Sequence, residues 1–315
     1  MTLQTPTAPP VAAARVALAA TGPGGLRVRQ AATELGMPCL SAAVDDEPPE
    51  ALVARALVAG CSLLHPGEAS PARQLALARA CRGTDLAFLG PRVALVEAMH
   101  DGGAIRTLLR EAGVPLAEPE APGRRVELAV LRDRLGRVRW LAVREPLTPA
   151  LMRAPVPWLT PEQRAYLGQL ASQGLAGLEL CGLVTLGFSV QGNRLGFSDM
   201  RPGLTGWEAL DEALTGLDVA VAQLRLACGD RLRDRQAALA PRGHALQWRC
   251  FPPPDVGLSG GPGLRLDRAG VEDGEARLLA WGRSREEAQR RARRGLTELL
   301  GAERAAAMMA PLRPA

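Results

Sequence analysis

The chain has 315 residues, of which 47% are apolar and 23% are charged, and its net charge is +5. This composition can bury a sizeable core, and the length favours about two domains. It excludes a disordered or fibrous chain. No uncharged apolar run reaches the roughly 18 residues that a membrane-spanning helix needs, so we expect a soluble cytoplasmic protein without a membrane partner.

Every basic side chain except the three histidines is an arginine, because the sequence contains no lysine. Arginine stays protonated, which excludes a lysine Schiff base, a lysine general base and a P-loop lysine. The densest basic segment, residues 283–294, also carries Glu286 and Glu287. A solvated helix face is therefore favoured over a phosphate-binding stripe, and we expect no nucleic-acid partner.

The cysteines are widely scattered, without a CxxC pair and without histidines at metal-ligand spacing. We therefore expect buried free thiols and neither disulfides nor zinc. The six positions are Cys39, Cys61, Cys81, Cys181, Cys228 and Cys250.

After a loose N-terminus over residues 1–14, short apolar runs alternate with helical segments. This alternation predicts an α/β domain with a parallel, Rossmann-like sheet over residues 15 to about 116. The glycine-rich turn 21–25 lacks the GxGxxG spacing, and only Asp45 could bind a ribose, so a structural turn is favoured over a phosphate site. The predicted strands are 15–20, 38–44, 61–64 and 86–89, and the predicted helices are a stretch from the turn 21–25 to residue 35, then 50–59 and 71–82.

Beyond a Pro/Gly-rich joint at 117–124, the pattern indicates an α+β region with an antiparallel sheet. Two hairpins are predicted around the turns 133–136 and 191–193. Thr160 and Gln163 form a capping box at the start of a helix. Two short helices broken near Gly216 follow, and the last predicted elements are strands at 243–249 and 275–281 and a helix capped by Ser284 that runs to residue 300.

Taken in order, several short motifs resemble biotin carboxylase, an ATP-grasp enzyme. The resemblance implies a biotin carboxylase N-terminal-like domain at 15–119, a remnant of the ATP-grasp C-lobe at 124–239, a C-terminal-like domain at 240–303 and a tail at 304–315. The motifs are His65-Pro-Gly67, Phe88-Leu-Gly-Pro91, Arg110 to Pro115, Asp199-Met200, Leu214 to Asp218, Gln223 to Ala227, Arg242-Gly-His-Ala245, Arg249, Gly260 to Arg265 and Leu278 to Gly282.

The family's cofactors are ATP, Mg²⁺ and biotin, and the resemblance implies that their binding groups are missing here. The ATP-grasp lid would be inserted between Pro119 and Arg124, where the joint has room for only a few residues. The segment 99–102 lacks the family's nucleotide-binding lysine. Of its two metal-binding carboxylates, one aligns with Gly187, and the other survives only as Asp199.

The family's bicarbonate and general-base motif corresponds to residues 201–208. Its Asn, Arg and Glu are replaced by Arg201, Gly203 and Trp207. We therefore predict no catalytic residue and no bound cofactor, with Asp199 as the single candidate metal ligand.

Three functions remain open at this point. The first is a non-catalytic structural or regulatory partner in an acetyl- or propionyl-CoA type carboxylase of fatty acid metabolism, as a homodimer or in a heteromer with a biotin carboxylase or biotin carrier subunit. The second is residual nucleotide or small-ligand binding, or weak ATP-dependent ligase activity, at the old cleft. The third is a different enzyme on the same scaffold. The candidate groups for the last two are His65, Glu145, Asp199, His100, Asp101 and His244.

Overall fold

The computed structural model describes residues 9–20, 22–42, 47–118, 123–233, 235–268 and 274–312. Its N-terminal part is a four-stranded parallel sheet in the order β2-β1-β3-β4, flanked by helices. The strands are β1 (Val16–Leu18), β2 (Cys39–Ser41), β3 (Leu63–His65) and β4 (Ala87–Phe88). The helices are α1 (Pro23–Glu34), α2 (Pro49–Val58), α3 (Pro71–Ala80), α4 (Val93–His100) and α5 (Gly102–Glu111).

The rest of the chain forms an eight-stranded antiparallel sheet in the order β11-β12-β10-β7-β6-β5-β8-β9. Its strands are β5 (Arg124–Arg132), β6 (Val138–Thr148), β7 (Leu151–Ala154), β8 (Gly182–Gln191), β9 (Arg194–Pro202), β10 (His244–Cys250), β11 (Leu264–Arg268) and β12 (Ala276–Gly282). The helices are α6 (Pro161–Ala176), α7 (Glu208–Thr215), α8 (Val219–Ala227), α9 (Arg285–Leu300) and α10 (Ala302–Met309).

The mixed α/β architecture and the antiparallel second half confirm the coarse prediction, while the Rossmann-like label stays a prediction. The division at residue 240 also stays a prediction. Segments on both sides of residue 240 contribute strands to the same eight-stranded sheet. The predicted tail contains part of α10, and β7 was not predicted. Thr21, Asp45 and residues 119–122 of the joint lie outside the described residues.

Local signals set the ends of several helices. The Thr160 side chain accepts a hydrogen bond from the Gln163 backbone N–H, and the Gln163 side chain accepts one from the Thr160 N–H, which confirms the capping box. Ser284 caps α9. Gly216 adopts a φ of 75° at the end of α7, a left-handed conformation that favours glycine.

The cysteines are all free, in agreement with the sequence prediction, although three of them are only partly buried. Burial raises the pKa of the Cys81 thiol to about 12. The described residues contain no helix that is long and apolar enough to cross a membrane.

The capping box gives a first test of the fold. Replacing Thr160 with alanine leaves N–H groups at the start of α6 without their partner, and we expect it to lower the free energy of unfolding by about 1 kcal/mol. Chemical denaturation measures the change. The control is Thr297→Ala on the exposed face of α9, which should change stability by less than about 0.5 kcal/mol. Equal effects of the two substitutions would contradict the capping role.

Candidate functional site

The candidate site is a row of residues that crosses four neighbouring strands of the antiparallel sheet. Arg144 on β6 pairs in register with Glu127 on β5, Glu127 pairs with Gly187 on β8, and Gly187 pairs with Asp199 on β9. Side chains at directly paired positions lie on the same face of a sheet. The register therefore brings both metal-ligand positions that the resemblance implies, 187 and 199, into one cluster with two residues that the sequence analysis did not select.

Asp199 is held by arginines. Arg125 Nη2 donates to Asp199 Oδ1 at 3.0 Å, and Arg125 Nη1 donates to Asp199 Oδ2. Ser198 Oγ also donates to Oδ2, at 2.8 Å, and Arg201 Nε lies 3.5 Å from Oδ1. Burial alone would raise the pKa of Asp199, but its bonds to Arg125 and Ser198 and the charge of Arg201 lower it below its usual value. Asp199 is therefore an ionised partner of two guanidinium groups.

Glu127 is the second carboxylate of the row, and its side chain is only 4% exposed. Arg201 donates to its Oε1, Arg125 Nη2 donates to the same oxygen at 3.3 Å, and Arg144 Nε lies 3.5 Å from its Oε2. Burial tends to raise the pKa of Glu127, yet the three guanidinium groups together lower it. The carboxylate thus stays ionised inside the protein.

Arg144 is fully buried and joins the row to α7. Its Nη1 donates to Asp211 Oδ2 at 2.7 Å, and its Nη2 donates to Thr205 Oγ1 at 2.8 Å. Asp211 is also fully buried and accepts a hydrogen bond from the Ala142 N–H at 3.2 Å. Each ion of this pair therefore has further polar partners, which a buried charge requires.

Glu208 organises the loop above the pair. Its carboxylate accepts hydrogen bonds from the backbone N–H groups of Thr205 and Gly206, each at 2.8 Å, and from the Thr205 hydroxyl at 2.7 Å. The hydroxyl of Thr205 in turn accepts from Arg144. Hydrogen bonds within the protein thus fix the segment 201–208, to which the resemblance assigns bicarbonate binding.

Positions 187 and 207, which the resemblance also marks as replaced, leave no open space for a ligand group. A Cβ atom at Gly187 would lie 2.3 Å from Asp199 Oδ2, so a side chain there would displace that carboxylate. Trp207 is 8% exposed and packs in an apolar cluster with Ala142 and Leu210. The indole belongs to the core.

A separate cluster surrounds Glu145, which is 4% exposed. Its Oε1 accepts from Arg124 Nη2 at 2.7 Å and from Trp158 Nε1 at 3.0 Å, and its Oε2 accepts from Arg153 Nε at 2.7 Å. The Arg124 guanidinium also stacks on the Trp158 ring, with Cζ 4.2 Å from the ring centroid. These contacts fix the first residue of β5, next to the predicted position of the missing lid.

The remaining candidate residues, two of which make local structural contacts, are His65, Asp101, His244 and His100. His65 is fully buried, and its Nδ1 accepts a hydrogen bond from the Gly67 N–H at 2.8 Å. Burial lowers its pKa to about 4, which keeps the ring neutral. Asp101 caps α5 by accepting from the Gly103 N–H at 3.0 Å. His244 begins β10, and His100 ends α4. None of these contacts forms a nucleophile–base pair.

Two small depressions lie on the described part of the protein. One lies between α1, α7 and β12 and includes Glu68 and Arg277 in its lining, and the other lies beside Pro155 and His244. Each encloses about 20 Å³, room for roughly one water molecule. Within the described ranges, no group of three or more His, Cys, Asp or Glu side chains is arranged to hold a metal ion.

The residues that the sequence analysis missed are Arg125, Glu127, Arg144 and Asp211. One signal was present in the sequence. Arg125 and Glu127 alternate with the apolar Val126 and Leu128, which places two charged side chains on one face of a predicted strand. Asp211 had no comparable signal, since nothing local indicates that α7 would bring it to a buried arginine.

The buried pair can be tested by removing its cation. Above about pH 7, where Asp211 is ionised, replacing Arg144 with methionine leaves Asp211 without an opposite charge, and we expect it to lower the free energy of unfolding by about 3–5 kcal/mol. The control is Arg79→Met, which breaks the exposed pair of Arg79 with Glu97. That change should cost about 1 kcal/mol or less. A small, similar loss in both variants would contradict the importance of the buried pair.

The titration of Asp211 gives a second test. Burial raises its pKa to about 7, and the nearby Arg144 charge offsets only part of this effect. Between the ordinary pKa near 3.8 and this value, the folded protein binds more protons than the unfolded chain. The contribution of Asp211 to stability therefore falls as pH rises, by at most roughly 1.4 kcal/mol per pH unit. We expect the stability difference between the wild type and Asp211→Asn to shrink from pH 5 to pH 7, measured by urea denaturation. A difference that stays constant or grows with pH would refute the assignment.

Comparisons with known proteins agree with the fold. Residues 121–235 match the sequence model of the family described as "Carbamoyl-phosphate synthase L chain, ATP binding domain". The biotin carboxylase of Nostoc sp. is 24% identical over 344 residues, covering 78% of this chain and 77% of the relative. This aligned region is longer than the 315-residue chain itself, so the relative contains residues without a counterpart here.

Solved structures share the fold. The biotin carboxylase domain dimer of Hydrogenobacter thermophilus 2-oxoglutarate carboxylase, in complex with MgADP, ADP and bicarbonate, has a TM-score of 0.83 at 21% identity and covers 94% of each chain. The complete multifunctional pyruvate carboxylase from Rhizobium etli has a TM-score of 0.79 at 20% identity, covering 90% of this chain and 37% of that one. In sequence and in fold, the chain is therefore similar to biotin carboxylase-like ATP-grasp proteins.

Proposed function

We propose that this protein is a non-catalytic relative of biotin carboxylase that acts as a structural or regulatory partner in a biotin-dependent carboxylase system. The observation that carries the proposal is the row of ion pairs across the sheet. Asp199 and Glu127 both face guanidinium groups, and the position between them is Gly187. A phosphate-transferring site requires carboxylate oxygens that are free to bind Mg²⁺.

Binding Mg²⁺ at Asp199 would require the release of Arg125. Hydrogen bonds to charged groups are typically worth about 1.5–3 kcal/mol each, and Arg125 donates two of them to Asp199. A second protein carboxylate could not come from position 187 without displacing Asp199. The residues present therefore fit Mg²⁺ poorly, and the role of Asp199 as a metal ligand stays a prediction.

Nucleotide binding meets a similar obstacle. The resemblance implies a lid and a lysine that hold the triphosphate, and the sequence contains no lysine. The depression between α1, α7 and β12 has room for roughly one water molecule. These observations favour a partner role over nucleotide binding or weak ligase activity.

The partner proposal draws on the assemblies that related proteins form. The structure from Hydrogenobacter thermophilus is described as a domain dimer, and the one from Rhizobium etli as a complete multifunctional enzyme that contains further parts. The chain covers 94% of the Hydrogenobacter thermophilus domain, so a surface for assembly can persist after the loss of activity. We propose either a homodimer or a complex with a biotin carboxylase or biotin carrier subunit, in the cytoplasm.

The proposal is tested with the purified, full-length protein. We expect no bicarbonate-dependent ATP hydrolysis above the background of a mock purification and no change in the thermal unfolding midpoint with MgATP. We also expect affinity purification from the native cell to recover carboxylase subunits. Bicarbonate-dependent turnover would show an enzyme, and a midpoint raised by MgATP would show a nucleotide-binding protein. Repeated recovery of the protein alone in mild salt would contradict the partner role.

A further inference from the structure

A second ion pair, far from the row in sequence, joins the two sheets. Glu68 follows β3 of the parallel sheet, and Arg277 lies on β12 of the antiparallel sheet. Arg277 Nη1 donates to Glu68 Oε1 at 2.5 Å, and Nη2 donates to Oε2, so the guanidinium grips the carboxylate with two parallel bonds. This bidentate geometry is the one by which arginine recognises carboxylates. The Arg277 side chain is only 8% exposed.

Two glycines make room for this contact. A Cβ atom at Gly24 would lie 2.0 Å from Glu68 Oε1, and a Cβ atom at Gly206 would lie 1.9 Å from Arg277 Nη1. Gly206 has a φ of 89°, which other residues rarely adopt. The carboxylate and the guanidinium therefore lie in a fitted space between α1 and the loop before α7, and both line the depression described above.

Arg277 has two carboxylate partners, Glu68 and Glu275. Glu275 accepts from Arg277 Nε at 3.2 Å and also from Arg249 Nη2 at 2.8 Å. Two guanidinium groups thus share Glu275, while Glu68 is the second carboxylate on Arg277 and Glu208 adds a further negative charge near Glu68. Burial raises the pKa of Glu68 above its ordinary value, although Arg277 opposes the shift. The space around Arg277 is thus a carboxylate site that holds a carboxylate of its own chain.

We propose that Arg277, with the space that Gly24 and Gly206 leave open, is a binding site for a small monocarboxylate and that Glu68 closes it by an autoinhibitory contact. A ligand with an acetate-like group takes the place of the Glu68 side chain and releases the loop after β3 from β12. The proposal is independent of whether the protein assembles with a carboxylase, since it concerns only residues of this chain.

The test uses Glu68→Ala, which removes the same heavy atoms that acetate contains. Thermal unfolding of the full chain is compared in sodium acetate and in sodium chloride at equal ionic strength. We expect acetate to raise the midpoint of this variant by roughly 2 °C or more beyond its effect on the wild type, by mass action on the vacated site. The double variant Glu68→Ala/Arg277→Met should lose this gain. Glu97→Ala, which breaks an exposed pair, should respond to acetate like the wild type.

The same gain in the double variant, or no acetate-specific gain in Glu68→Ala, would overturn the proposal. If Glu68→Ala does not fold in chloride, the yield of soluble protein refolded in acetate becomes the measurement. A higher yield in acetate than in chloride supports the site. Equal yields contradict it.

Discussion

The buried ion pair between Arg144 and Asp211 is the contact on which the central sheet and its surroundings depend. Both side chains are fully buried, and the pair joins β6 to α7. Because arginine cannot give up its proton, Arg144 remains a fixed positive charge inside the protein. Glu127 lies beside it, and Arg125 and Asp199 extend the alternation of charges to the edge of the sheet. The opposite charge of each neighbour offsets the free-energy cost of burying each ion.

This alternation is the basis of the proposal that the chain is non-catalytic. A site that handles phosphate needs negative side chains facing a metal and positive ones facing the ligand. Here the two kinds of side chain face each other. Arg201 lies where the resemblance implies an asparagine, and its guanidinium donates to Glu127 and neutralises that carboxylate.

A related pattern holds the two sheets together. Glu212 on α7 contacts Arg27 on α1 at 3.6 Å and Arg265 on β11 at 2.9 Å. With Glu68 and Arg277, these pairs connect the parallel sheet to the antiparallel one through partly buried charges. The arginine-only composition therefore has a structural use, since guanidinium groups can bind carboxylates through several hydrogen bonds at once.

Much of the fold follows from short-range patterns. The capping box at Thr160, the break at Gly216 and the hairpins are confirmed because each depends on residues that are close in sequence. The partners of Asp199 were not predicted. Alternation shows that Arg125 and Asp199 lie on faces of strands, but only the register of β5, β8 and β9 brings them together. The contact between Arg144 and Asp211 depends on packing across 67 residues of sequence, which no local pattern encodes.

The central claim is that the carboxylates of Asp199 and Glu127 are bound by arginines. Isothermal titration of the purified protein with MgADP tests it most directly, with Arg125→Ala as the comparison, because that substitution frees Asp199 from its main partner. The account predicts no heat of binding for the wild type at millimolar nucleotide. Saturable binding of MgADP by the wild type, unchanged in Arg125→Ala, would contradict it.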